Sequence, residues 1–201
     1  MLLNLGGQQE VSSAMGPGKR SVLWVRGCSI LCSGCITPEY LDHAVRTETT
    51  VEEVCEWITR MKFEHQIEGV SFSGGEPFEQ AKALAFIARA CRELGLSIQS
   101  WSGYTKRYLE KGHAPDGSRE LLETLDVLID GPFIRQRPTS LPLRGSSNQH
   151  LHLLTDRYKV EDFEQRYMEL VIDPKQTRAV GVMNHAHLRA ALALSGILGD
   201  V

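Results

Sequence analysis

Cys28, Cys32 and Cys35 stand in the stretch RGCSILCSGCITPE, residues 26–39, with the spacing C-x3-C-x2-C. They are three of the chain's five cysteines, and serines and Gly34 stand among the residues between them. A disulfide would pair two and strand the third. A tetrahedral zinc site usually takes four protein ligands, commonly as two separated pairs. Three thiols on one short loop suit a metal centre that keeps one position open. A [4Fe–4S] cube normally takes four thiolates, so this loop would leave one iron free for a small molecule. Small residues between the thiols let the chain wrap a cube and aim backbone N–H groups at its sulfurs. Two other readings stay open on these residues alone. One is a zinc site completed by His43; the other is a Cys32-x-x-Cys35 redox pair with Cys28 incidental.

Alternating strand and helix signals must position that loop. SVLWVRG (21–27) reads as a buried strand running into the cysteines. TVEEVCEWITRMKF (50–63) opens with the Thr-x-x-Glu pattern of a capping box, then places Val51, Val54, Ile58 and Met61 at helical spacing. GVSFSGG (69–75), SIQSW (97–101) and LDVLIDG (125–131) read as further strands. Helices are expected over 78–94, stopped by Gly95, and over 118–125. Strands separated by helices indicate βαβ units, an α/β class and a parallel sheet. In such sheets ligands bind at the carboxyl ends of the strands. The cysteine loop, SGGEP, SWSGY and IDGPF all follow strands and should gather on one face.

From about residue 150 the pattern changes. HLHLLT and YMELVID read as short strands, DPKQT as a turn, RAVGVM as a returning strand, and AHLRAALALSGI as a final helix. The expected division is a core over 1–150 and a small α+β appendage over 151–201, packed on the same domain.

A chain of 201 residues with 42% hydrophobic and 23% charged content can bury a substantial core. Its net charge is 22 − 25 = −3, which argues against nucleic acid or an anionic membrane as partner. The start MLLNLGGQQE turns polar too soon for a signal peptide, and no later run reaches membrane length. An odd number of cysteines, three of them clustered, does not read as a secreted disulfide framework; a reducing cytoplasm is expected. GPGKRS is not a P-loop, because Lys19 is followed by Arg20 and then by a strand.

These motifs resemble a known superfamily. The triad after a first strand is similar to the signature of radical S-adenosylmethionine enzymes. GPGKR (16–20) resembles a motif of glycyl-radical activating enzymes, and SFSGGEPF (71–78) the superfamily's second-strand GGEP motif. WSGY (101–104), VLIDGPF (127–133) and RGSSNQ (144–149) are similar to later motifs of the anaerobic ribonucleotide reductase activating subgroup. Gly34 before the last cysteine matches that subgroup, whereas Thr37-Pro38 departs from its Asn-Pro.

The resemblance implies a partial (βα) barrel with a [4Fe–4S] cluster on Cys28, Cys32 and Cys35, and S-adenosylmethionine chelating the open iron. Reductive cleavage would release methionine and a 5′-deoxyadenosyl radical, which abstracts a hydrogen atom. The implied target is a backbone glycine of a glycyl-radical enzyme such as an anaerobic ribonucleotide reductase, and the implied electron donor a flavodoxin or ferredoxin. Gly34, Gly74, Gly75, Glu76 and Pro77 would serve the cofactor, the glycines by letting backbone approach the ligand. Ser100, Trp101 and Ser102 fall where the ribose or carboxylate would be met, and Asp130 near the same site.

Plainer readings stand beside these. Trp101 equally suits a core aromatic, and Asp130 an Asp-Gly-Pro turn. Arg135, Arg137 and Arg144 suit a solvated loop. His150 with His152, and His185 with His187, share strand faces without cysteine company, and Cys55 and Cys91 suit helix cores. Alternatives by function are a radical enzyme acting on a small molecule or ribosomal peptide, an Fe–S electron carrier, and a zinc-stabilised interaction module.

Overall fold

The computed structural model describes residues 1–45, 48–164, 168–172 and 177–182. In chain order the elements are β1 (Leu2–Ser12), β2 (Arg20–Val25), β3 (Glu48–Thr50), α1 (Val51–His65), β4 (Gly69–Gly74), α2 (Ala81–Glu93) and β5 (Ser97–Ser102). They continue with α3 (Lys106–Leu109), α4 (Ser118–Leu122), β6 (Val127–Asp130), β7 (His150–Leu153), β8 (Glu169–Ile172) and β9 (Thr177–Val180). Seven strands form one open sheet in the order β3-β1-β2-β4-β5-β6-β7. β2, β4, β5 and β6 are parallel, and antiparallel strands flank them on both sides. This is a mixed α/β fold, as expected from the alternation of elements.

Sheet register decides what faces what. Leu23, Phe72, Ser100 and Leu128 lie in one row across the parallel strands. Leu23, Phe72 and Leu128 belong to the main core with Val54, Trp57 and Ile58 of α1 and Leu84, Ile87 and Ala88 of α2. The capping box starts α1 as its sequence predicts: Glu53 N–H donates to Thr50 Oγ1 at 3.2 Å and Thr50 N–H to Glu53 Oε2 at 2.8 Å. The next row, Val22, Ser71, Gln99 and Val127, faces the other way. No helix covers that face among the described residues. Val171 and Val180 of the β8–β9 hairpin pack there against Met15, Val22, Trp24 and Trp101, and Leu143, Phe163 and Tyr158 pack against Val127 and Ile129.

β1 carries no strand signal in the sequence reading, yet it is the longest strand. Its register against β2 shifts between Leu5 and Gly7 and again between Gln9 and Ser12. Those irregularities break the period-2 alternation by which a half-buried strand is recognised. The expected final helix, with His185 and His187, lies outside the described residues.

Arg20 ties the amino ends of the parallel strands together. It is wholly buried. Its Nε donates to Ser71 Oγ, Nη1 to Pro17 O, Ser97 Oγ and Tyr158 Oη, and Nη2 to Val70 O and Ser97 O, at 2.7–3.2 Å. Gly69 makes room for it, since a Cβ there would come within 2.4 Å of Nη1. Lysine has neither the planar fork nor the donors to satisfy this ring of oxygens. Arg20→Lys should therefore lower the melting temperature by roughly 10 °C, from a loss of about 3–5 kcal/mol. Tyr158→Phe, which removes one partner, should cost about 1 kcal/mol. Equal melting temperatures for Arg20→Lys and the parent would show that the guanidinium holds nothing together.

Candidate functional site

The carboxyl ends of β2, β4, β5 and β6 converge on one pocket of about 140 Å³. Cys28, Cys32 and Cys35 line it together with Ser73, Gly74, Gly75, Glu76, Trp101, Ser102 and Gly131. Four loops that are distant in sequence therefore meet at one end of the sheet, as the strand-end rule predicts.

Each thiol has a polar partner from the chain. Backbone N–H groups of Ile30 and Leu31 lie beside the Cys28 thiol, and that of Phe133 beside Cys32, where each favours the thiolate. Burial pushes both thiols up, and these donors oppose it. Cys35 Sγ lies 3.6 Å from Thr37 Oγ1, which also donates to Gly74 O at 3.2 Å. Among the described residues no three His, Cys, Asp or Glu side chains converge on a position for a single metal ion. The His43 ring turns instead to Ser29 Oγ at 3.4 Å and Glu79 at 3.7 Å. Thiols arranged around a pocket, two of them beside backbone amides and the third beside the Thr37 hydroxyl, fit a cube whose irons take one thiolate each. Cys55 and Cys91 lie in the helical core, away from the pocket.

The glycines of SGGEP act differently from expectation. A Cβ on Gly74, whose φ is +103°, would lie 2.4 Å from Val25 O; one on Gly75 would lie 2.3 Å from Gly27 O and 2.8 Å from Tyr40 O. The missing side chains therefore let the end of β4 pass against the segment that enters the cysteine loop. Gly75 N–H donates to Val25 O and Glu76 N–H to Gly27 O, both at 2.8 Å. Gly75→Val would disturb that junction before it touched any ligand.

Glu76 is buried and spends its carboxylate on the protein. Oε1 accepts from Phe78 N–H at 2.9 Å and Ser102 Oγ at 2.8 Å, and Oε2 from Gly103 N–H at 2.7 Å. It thereby staples SGGEP to WSGY. Pro77 begins the single turn of 3₁₀ helix that Glu76 caps. Trp101 lines the pocket and donates Nε1–H to Leu143 O at 2.8 Å, so it is both wall and anchor.

Gly34, Pro77, Ser100 and Asp130 are not among the pocket's lining residues. Ser100 and Asp130 fall in rows facing the helices, and Ser100 donates to Trp101 O. Asp130 accepts from Lys106 N–H and lies 3.0 Å from His152 Nε2 and 3.6 Å from His150 Nδ1. The sequence reading passed over Phe133, Thr37, Gln149 and Val182. Gln149 pins the loop over the pocket, accepting from Gly145 N–H at 2.7 Å and donating to Gly131 O at 2.9 Å. Its signal was RGSSNQ, quoted as a motif without a role. Val182, just past β9, brings the end of the hairpin into the pocket wall.

Burial raises the Glu76 carboxyl to about 7 despite its three donors. A carboxyl raised above its ordinary value binds its proton more tightly when folded. Its contribution is complete below about pH 4.5 and is lost as pH rises through about 7. Glu76→Gln should remove the fall in melting temperature between pH 5 and 8. It should also lower the melting temperature by a few degrees at pH 5, because its amide meets Gly103 N–H donor to donor. A parent protein without that pH slope would place the carboxyl in its ordinary range.

The 4Fe-4S single cluster domain family matches residues 14–152. The anaerobic ribonucleoside-triphosphate reductase-activating protein of Vibrio cholerae is 34% identical over 146 residues, 70% of this chain and 91% of that protein. Its counterpart in Haemophilus influenzae is 32% identical over 145 residues, 68% of this chain and 89% of that protein. The pyruvate formate-lyase-activating enzyme of Clostridium pasteurianum is 39% identical over 83 residues, 40% of this chain and 35% of that protein. The chain belongs to the 4Fe-4S single cluster domain family, in the radical S-adenosylmethionine group that includes the anaerobic ribonucleoside-triphosphate reductase-activating proteins.

Proposed function

We propose that the protein is a radical S-adenosylmethionine activase that takes a hydrogen atom from a backbone glycine of a glycyl-radical enzyme, such as an anaerobic ribonucleotide reductase. The observation that carries this reading is one pocket that gathers three thiols, each beside a polar group of the chain, with the SGGEP and WSGY turns at the ends of parallel strands. Cys28, Cys32 and Cys35 would hold the [4Fe–4S] cluster, whose chemistry is one-electron cleavage of the sulfonium of S-adenosylmethionine. Gly74, Gly75 and Ser102 offer backbone and hydroxyl at the wall, and Glu76 fixes their spacing. Ile30, Ile36, Leu41, Phe133 and Val182 supply an apolar lining that keeps water from a reactive radical. The open sheet is read as the radical S-adenosylmethionine partial barrel, with residues 1–150 as its core and 151–201 as an extension. A low-potential flavodoxin or ferredoxin and a cytoplasmic setting complete the reading.

The polar side chains support a protein target over a small metabolite. Glu76, Ser102, Thr37 and Gln149 line the pocket, yet each is committed to partners within the chain, which leaves the Ser73 hydroxyl as the one uncommitted hydroxyl, carboxylate or amide side chain among the described lining residues. A site that grips a small polar substrate needs free polar groups aimed into it. A backbone glycine needs only access.

Anaerobically reconstituted protein should hold about four irons and four sulfides. Alanine at Cys28, Cys32 or Cys35 should abolish the cluster, and alanine at Cys55 or Cys91 should retain it. With a reductant and S-adenosylmethionine, the protein should form 5′-deoxyadenosine and methionine. With a glycyl-radical enzyme present, the partner should show a glycyl-radical EPR doublet. Stoichiometric zinc without iron would overturn the cofactor assignment. A metabolite or peptide that stimulates 5′-deoxyadenosine formation, while no partner gains a radical, would overturn the target.

A further inference from the structure

Arg135 lies directly against the cysteine turn. A Cβ built on Gly34 would stand 2.3 Å from both Nε and Nη2 of Arg135 and 2.7 Å from its Cζ. The guanidinium thus fills the space that any other residue at 34 would claim, and Gly34 is held at φ +78°, which itself favours glycine. The contact joins two segments at two points. Phe133 N–H lies beside the Cys32 thiol, and two residues later Arg135 covers Gly34 between Cys32 and Cys35. Cys35 N–H donates to Cys32 O at 3.1 Å, so that turn is compact and its two thiols share the nearby charge.

Among the described residues the Arg135 side chain makes no hydrogen bond and no ion pair, although the chain carries 25 acidic residues. The cysteine loop beside it lies in a negative field: Glu79 acts on Cys28, and Glu76, where it is ionised above about pH 7, acts on Cys28 and Cys32. Three thiolates would add to this. Adding an electron to a centre so surrounded is unfavourable, and a fixed cation at its edge offsets that cost. A guanidinium keeps its charge at any working pH.

We propose that Arg135 sets the reduction potential of the cluster held by Cys28, Cys32 and Cys35, and that Gly34 leaves the room the guanidinium needs. This rests on the cluster assignment above. The step is the transfer of one electron from an external low-potential reductant to the cluster, and no bond is made or broken in it. Arg135 is a positioning charge rather than a group that reacts. Because its side chain is exposed, its influence is screened by salt.

The test is a redox titration of anaerobically reconstituted protein without S-adenosylmethionine, followed by EPR of the reduced cluster. It compares the parent with Arg135→Lys, Arg135→Gln and Arg135→Glu, among variants whose iron content matches the parent's. At a fixed applied potential, Arg135→Gln should raise the oxidised-to-reduced ratio about tenfold, or about 59 mV for a one-electron couple. Arg135→Glu should move it further the same way, and Arg135→Lys should stay within about threefold of the parent. Added salt should narrow the gap between the parent and Arg135→Gln, because it screens the one charge in which they differ. Potentials that ignore the charge at 135, or a gap between them that is indifferent to salt, overturn the proposal and leave the cluster assignment standing. A loss of S-adenosylmethionine affinity at unchanged potential overturns it too, and makes Arg135 a ligand-binding residue. A parent that holds no iron overturns both.

Discussion

A charged side chain with no water around it must find its hydrogen bonds inside the protein, and Arg20 shows how much structure that requirement can organise. Its guanidinium reaches oxygens of β4, β5, the turn before β2 and Tyr158. No carboxylate pairs directly with it among the described residues; burial pulls its pKa down, and neutral dipoles hold it in place. Because its partners span β4, β5, the turn before β2 and Tyr158, the strands β2, β4 and β5 share one alignment at their amino ends. The same alignment fixes where their carboxyl ends stop, and the thiols and the SGGEP turn sit at those ends. Tyr158 lies beyond residue 152, where the family match ends, so residues of the extension also serve this ring.

At the other end of the sheet, positions are set by short bridges between loops. Glu76 joins the ends of β4 and β5, Gln149 folds the segment after β6 over the pocket, and Thr37 links Cys35 to Gly74. Each bridge connects a motif to its neighbour, so the motifs form one structure rather than separate contacts to a ligand. The apparent spareness of the pocket follows. Most of its polar side chains are already engaged, and what remains open is the Ser73 hydroxyl, backbone, sulfur and apolar surface.

Much of this was legible in residue order. Val-, Ile- and Leu-rich runs marked β2, β4, β5 and β6, and the motifs that followed them were bound to meet at one end of a parallel sheet. The capping box marked the start of α1. What could not be read was direction. Ser100 stands two residues short of the pocket's Ser102 and faces the helices, while Asp130 pairs with Ser102 across the sheet yet turns to Lys106 N–H and the histidines of β7, which no local pattern shows. β1 hid because its bulges scramble the alternation, and Arg20 because a lone arginine before a strand reads as exposed. The glycine pair was visible, but the backbone it accommodates comes from forty-odd residues upstream, a contact no local pattern encodes.

The cysteine loop has a consequence for the order in which the protein is built. The main core draws on the strands and helices, and none of Cys28, Cys32 or Cys35 belongs to it. The loop is moored instead by backbone bonds, Gly27 N–H to Tyr40 O and Cys28 N–H to Leu41 O. Small metal domains that fold only around their ion couple loading to folding, so losing the metal unfolds the chain. Here the core is assembled without the thiols. Such a scaffold should form before its inorganic part arrives, and losing that part should leave an acceptor to be refilled rather than an unfolded chain.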